Sequence, residues 1–189
     1  NMKKDFTNNS KGFTLVETIV AIAIFAFAIT GLISITARGV FNTNFVKNKF
    51  TASYLALEGA ELARNIRDTA ALEGSNLSVL IADDSLLGNC VGVGGCRIDA
   101  WLDTAPVDCA VTDGAVCRNL TYDTSMAKFN YDFPDNVNSY ESIFRRTISV
   151  VPVTVGQEIK VVSVVEWIQG SEPHSVTYSY NLTNWTTGN

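Results

Sequence analysis

The chain has 189 residues, a net charge of −5 and 47% hydrophobic residues. That length suits one domain plus accessories, and the acidic balance gives non-specific nucleic-acid binding no electrostatic support, so no nucleic-acid partner is predicted. All four cysteines lie between Cys90 and Cys117. Their even number and tight clustering, behind a membrane-targeted N-terminus, predict disulfides formed in an oxidising compartment.

Residues 1–12, "NMKKDFTNNSKG", form a short polar leader with Lys3, Lys4 and Lys11 against Asp5. Residues 18–37 carry no charge, and as a helix they span roughly 30 Å, the thickness of a bilayer's hydrocarbon. Lysines ahead of the span place the leader in the cytoplasm and everything after Arg38 on the far side. A secretory signal peptide is one alternative, with "SITA" at 34–37 as its small-x-small cleavage site, although its apolar region is normally only about 7–15 residues. A plain transmembrane anchor is another. Neither explains Glu17 at the leading edge of the span. "TLVE", Thr14 to Glu17, fits a capping box, and a carboxylate there suits the positive end of the helix dipole. Near the bilayer centre a charge costs about 2.5–3.5 kcal/mol. Glu17 lies only about 6 Å along the helix from Phe13, so it stays near the interface in a lone anchor. Moved deeper, or packed among other helices, it needs a partner.

Lys11-Gly12-Phe13-Thr14-Leu15-Val16-Glu17, followed by the apolar run, resembles the prepilin processing motif of type IV pilins and type II secretion pseudopilins. The basic leader ending in glycine, the phenylalanine after it and the glutamate four residues later all match. The resemblance rests on about the first fifth of the chain. It implies that a membrane aspartyl prepilin peptidase cuts between Gly12 and Phe13, and that the new amine on Phe13 is methylated. It also implies that Glu17 pairs with the cationic N-terminus of a neighbouring subunit inside a filament, where a partly buried charge is tolerated because it is paired. The implied partners are the prepilin peptidase, a major pilin, other minor pilins or pseudopilins, the inner-membrane assembly platform and the membrane itself. The implied location is the bacterial inner membrane, single-pass with a cytoplasmic N-terminus, and then a periplasmic or extracellular filament.

"FVKNKFTASYLALEGAELARNIRDTA", residues 45–70, keeps helical spacing, with Ala52, Leu55, Gly59, Leu62, Ile66 and Ala70 on one stripe. Glu61–Arg64 and Arg64–Asp68 are favourably spaced ion pairs. One helix is therefore predicted from about Phe13 to about Leu72, on the order of 90 Å long. The expected division is a leader at 1–12, a membrane-spanning or filament-core half at 13–37 and an amphipathic half at 38–72. Gly31, Ser34 and Gly39 are expected to loosen the apolar half locally. Many major pilins carry a proline in this region. This chain has none there, and with "AIAIFAFA" and "LALEGAELARNIRD" it looks most like the minor subunits of the pilus modification protein group and the minor pseudopilins.

Residues 73–141 read as irregular and loop-rich. "CVGVGGC", Cys90 to Cys96, and "CAVTDGAVC", Cys109 to Cys117, each look like a loop closed on itself. Of the three possible pairings, Cys90–Cys96 with Cys109–Cys117 is favoured, because short glycine-containing spacers let the ends meet. Neither pair has the C-x2–4-C spacing of zinc ligands. Asp83, Asp84, Asp99, Asp103, Asp108 and Asp113 lack EF-hand spacing and read as a solvated acidic surface rather than a calcium site, so no metal or other cofactor is expected.

Residues 142–189 are read as an antiparallel sheet. "IFRRTISVVPVTV", "EIKVVSVVEWIQ" and "HSVTYSYNL" are strand-like, separated by turns at Val155-Gly156-Gln157 and Gly170-Ser171-Glu172-Pro173. Val176, Tyr178, Tyr180 and Leu182 alternate with polar residues and mark one buried face, which the long helix is placed to cover. The fold class is thus α+β, pilin-like. No nucleophile elbow, zinc-protease helix or phosphate loop occurs, "GVGG" at 92–95 reads as a loop, and His174 reads as a surface residue in a turn, so no enzyme is predicted. The two functions carried forward are a minor pilin or pseudopilin, and a single-pass membrane-anchored extracytoplasmic binding module.

Overall fold

In the computed structural model, which describes residues 12, 14–82, 85–100, 105–112, 114, 116–131 and 138–184, one helix, α1, runs Leu15–Leu72. The chain divides into two compact units, Asn1–Val46 and Lys47–Asn189. In the first unit α1 starts on a cap: the Glu17 N–H donates to Thr14 Oγ1 at 3.3 Å. That satisfies one of the free amides of the first turn. The helix is continuous through Gly31, Ser34 and Gly39. Each costs at most about 1 kcal/mol of propensity, which a cooperative helix of this length absorbs.

In the second unit the rest of α1 covers a seven-stranded antiparallel sheet. Its strands are β1 Cys96–Arg97, β2 Val107–Asp108, β3 Asn119–Asp123, β4 Lys128–Asn130, β5 Ser139–Thr154, β6 Glu158–Gln169 and β7 Glu172–Thr183. The three long strands β5–β7 form the predicted meander, in register from Arg145↔Glu166 across to Gln169↔Glu172. β5 is the trunk. One edge pairs with β6, and the other is shared by β3 along its first half and β1 at Ile148. The region 73–141 therefore contributes four short strands, together with the one-turn helices α2 Leu77–Leu80 and α3 Cys109–Thr112. Segments of two to five residues are too short to show a period, and pairing decides them: β1 and β3 on β5, β2 on β1 and β4 on β3.

Alternation along β5 and β6 turns Phe144, Arg146, Ile148 and Val150, and Ile159, Val161, Ser163, Val165 and Trp167, inward. The helix meets them with its smallest residues. Of the expected stripe, Ala52, Leu55, Gly59 and Ala70 are buried, as are Ala56, Ala60 and Ala63, whereas Leu62 and Ile66 are only partly covered. The contact is close at Gly59, where an added Cβ would lie 2.7 Å from both Arg146 Cδ and Ser163 Oγ. Arg146 is wholly buried and donates to Glu58 Oε2 at 2.8 Å, Leu55 O at 3.3 Å and Ile98 O at 3.1 Å. Tyr180 donates to Ala60 O, and burial pushes its hydroxyl up to about 12. Glu61 pairs with Arg64 as expected, but Asp68 pairs with its neighbour Arg67 rather than with Arg64.

Cys90 is bonded to Cys96, and Cys109 to Cys117. The two loops are braced together, because β1 pairs with β2 and the Cys109 N–H donates to Gly95 O. Cys90 and Cys96 belong to the main core with Leu87, Ile98 and Ile148. Joint replacement of Cys90 and Cys96 by alanine is expected to lower stability by about 2 kcal/mol through the freed unfolded chain, with a further loss from the vacated core. Denaturant midpoints of the full chain in detergent measure this; an unchanged midpoint contradicts it.

Candidate functional site

Gly12, Thr14 and Glu17 are described; Phe13 lies outside the described residues. Gly12 is exposed, with nothing within 4 Å of the position a Cβ would take. Glu17 sits in the first turn of α1 with its amide on Thr14, and its carboxylate has no ion pair among the described residues.

Every described residue from Thr14 to Asn44 is exposed, on all sides of the helix. They include Leu15, Val16, Ile22, Ile24, Phe25 and Phe27, the last at 81% exposure. A helix apolar all round is a membrane span or the inside of a larger assembly. By length and composition α1 can cross a membrane. Four of its threonine hydroxyls are spent locally: Thr18 donates to Leu15 O, Thr30 to Phe27 O, Thr36 to Leu32 O and Thr43 to Gly39 O. Such back-bonding lets hydroxyl residues sit in apolar surroundings without an unmet polar group.

The second unit offers less chemistry. A surface cleft of about 690 Å³ lies between α1 at Tyr54, Leu57, Glu58 and Glu61 and β4 at Lys128 and Phe129. Of the acidic residues weighed for calcium, Asp83, Asp84, Asp103 and Asp113 lie outside the described residues. The other two are engaged: Asn130 Nδ2 donates to Asp99, and Asp108 accepts from the Ala110 N–H. Asp123 turns the β3–β4 hairpin by accepting from the Ser125 hydroxyl and the Ser125 and Met126 amides. The Ser125 hydroxyl, then the Met126 amide, hold its carboxyl below its usual value. His174 is not in a turn. It lies in β7 with its ring 5.4 Å from that of Trp167, because β7 begins two residues earlier than its β-branched residues suggest. Arg146, the most consequential side chain under the helix, escaped the sequence reading. An arginine on the apolar phase of a strand, "FRRTISV", was the available signal.

Residues 7–33 match the family model of the prokaryotic N-terminal methylation motif. A stretch of 49 residues is 45% identical to type II secretion system protein I of Klebsiella michiganensis, covering 26% of this chain and 40% of that protein. The chain thus matches less than half the length of this curated relative. No solved structure matches the chain. Both comparisons cover a minor part of the molecule, and the family model places its match at the N-terminus.

Proposed function

From a chain that carries a prepilin-type N-terminal methylation motif, we propose a minor pilin or pseudopilin: a structural, non-catalytic subunit of a type II secretion pseudopilus or type IV pilus. The observation that carries this reading is the fully exposed apolar half of α1 with Glu17, an acid that has no ion pair among the described residues, in its first turn within the matched motif. In a lone anchor that acid contributes only at the helix cap, at most about 1 kcal/mol. In a filament core it meets the amine freed on a neighbour's Phe13, and charge pairing offsets the loss of water. On this reading prepilin peptidase cuts after Gly12 on the cytoplasmic face. The subunit waits in the inner membrane by its apolar half, and the platform and fellow pilins draw it into the filament. The disulfide-stapled sheet then lies outside the cytoplasm, where its cysteines oxidise.

Leader removal is the test. In cells that contain prepilin peptidase the chain is expected to shorten by its leader, with a methylated Phe13 at the new end by mass spectrometry. Gly12→Val is expected to block this, because a branched side chain crowds the scissile bond. Conversion of the Gly12→Val variant at the normal rate, or no conversion of the unaltered chain, refutes the reading and favours a plain membrane-anchored module.

A further inference from the structure

The sheet of the second unit ends on β7, which pairs with β6 and with no other strand among the described residues. Its ladder shows which backbone groups are left over. The Asn184 N–H donates to Gln157 O at 2.7 Å, one step beyond the Glu158↔Thr183 pair. Hydrogen-bonded and non-bonded pairs alternate along an antiparallel ladder. Val176, Tyr178, Tyr180 and Leu182 therefore bond to β6, whereas the N–H and C=O groups of Ser175, Thr177, Ser179, Asn181 and Thr183 point away from it. The Thr183 carbonyl agrees with this phase, since it accepts from Arg67 Nη1 at 3.0 Å. Pro173, on the same phase, has no N–H to offer. Between those two ends the edge is open from Ser175 to Asn181, roughly 20 Å at the rise of a strand, and its outward residues are exposed. Folded proteins keep sheet edges short, bulged or charged so that they do not recruit other chains. Here β2 and β4 comply, with two and three residues. By contrast β7 has 12 residues, pairs without a register shift and carries no Lys, Arg, Asp or Glu from Pro173 to Thr183.

We propose that the free edge of β7 is completed by an extended strand from a different polypeptide of the same assembly, which bonds the outward amides and carbonyls of Ser175, Thr177, Ser179 and Asn181. Strand addition of this kind draws its affinity from the main chain and its specificity from alternate side chains. On the α1 side the added strand lies beside Val176 and Tyr178, the latter 40% exposed, and takes apolar residues. On the other side it lies beside Ser175, Thr177 and Ser179 and takes polar ones. Two guanidiniums flank the Thr183 end: Arg64 lies 4.7 Å from the Tyr180 ring centroid and Arg67 holds Thr183 O. A carboxylate at that end of the added strand complements them. A second copy of β7 does not fit. Asn48 meets Gln169, Ala60 meets Tyr180 and Arg67 meets Thr183, so α1 and β7 run in the same direction. Antiparallel pairing of two β7 strands turns one unit end over end and puts its entry point, Lys47, at the far end, which two chains anchored in one membrane cannot do. A two-fold parallel pair sets N–H against N–H. This exclusion rests on the membrane-anchored reading above, whereas the open edge is independent of it.

The probe is a synthetic peptide of alternating valine and threonine that ends in aspartate, added to the full chain in detergent and followed by residue-resolved amide hydrogen exchange. Exchange is expected to slow at Ser175, Thr177, Ser179 and Asn181 and to stay unchanged at Val176 and Tyr178, whose amides already bond to β6. Ending the peptide in lysine instead of aspartate is expected to weaken binding about tenfold, the scale of one charge-assisted hydrogen bond. No slowing, or slowing without this alternation, overturns the proposal. The same protection appearing with chain concentration and no peptide assigns the edge to a second copy and also overturns it. In cells that assemble the chain, Ser179→Pro removes one outward N–H that the ladder does not use, so the unit is expected to fold, insert and lose its leader normally. It is expected to co-purify with sheared filaments about tenfold less than the unaltered chain, while Ser179→Ala, which keeps the N–H, co-purifies normally. Normal co-purification of a folded Ser179→Pro chain overturns the proposal while the pilin reading stands, and the exchange measurement decides the matter if that variant misfolds. Failure of the unaltered chain to lose its leader refutes the pilin reading and leaves the exchange result on the open edge intact.

Discussion

Glu17→Gln is expected to be inserted in the membrane and cut after Gly12 like the unaltered chain, and to fail at assembly. The two roles open to Glu17 differ in size. As part of the cap it contributes little: the Thr14 hydroxyl already accepts the Glu17 amide, and glutamine fills the same capping position at a cost within about 1 kcal/mol. As the partner of a cation in a dry filament core it matters far more, since its loss strands that cation at about 3–5 kcal/mol per contact. Such a loss lowers the assembly constant by roughly two to four orders of magnitude at 1.4 kcal/mol per tenfold. Membrane extraction and leader removal report on the single chain, and co-purification with partner pilins reports on the pairing. Normal co-assembly of Glu17→Gln would reduce the residue to a helix cap and remove the main support for the filament reading.

Gly59→Ala is expected to destabilise the second unit by about 2–4 kcal/mol, against the gain of roughly 1 kcal/mol that alanine brings to a helix interior. The sign turns on what the methyl meets. It would lie 2.7 Å from the Arg146 side chain and 2.7 Å from Ser163 Oγ. Serine can rotate away. Arg146 cannot do so easily, because it is fully buried and held by Leu55 O, Ile98 O and Glu58 at once. Moving its guanidinium breaks hydrogen bonds to a buried charge, which is the expensive way to relieve a clash. Gly39→Ala, where nothing lies within 4 Å, is the control and is expected to be neutral or stabilising. Urea midpoints of both variants, as full chains in detergent, make the comparison. A Gly59→Ala chain as stable as the Gly39→Ala chain would mean that the helix does not need this close approach to the sheet.

The sequence by itself determined the elements whose own residues carry a long signal. A helix ending at Leu72 follows from an unbroken run without proline, closed by Glu73-Gly74. Strand β6 at Glu158–Gln169 follows from β-branched alternation between two glycine turns, and the α+β class follows from the order of these elements. The N-terminal motif is legible for the same reason: its chemistry is local, seven consecutive residues beside an apolar run. Tertiary structure alone decided the rest. Strands β1 and β3 exist because β5 offers them an edge, and β2 and β4 because β1 and β3 in turn offer theirs, since two to five residues cannot hold a ladder unaided. The expected stripe of α1 is buried at Ala52, Leu55, Gly59 and Ala70, but the packing against the sheet also buries Ala56, Ala60 and Ala63 and leaves Leu62 and Ile66 at the edge of the contact. Burial of an arginine is settled by the partners that gather round it, and those partners, Leu55, Glu58 and Ile98, are 91, 88 and 48 residues away in the chain. Charge separation at that range leaves no periodic trace, whereas apolar spacing within one helix or strand does.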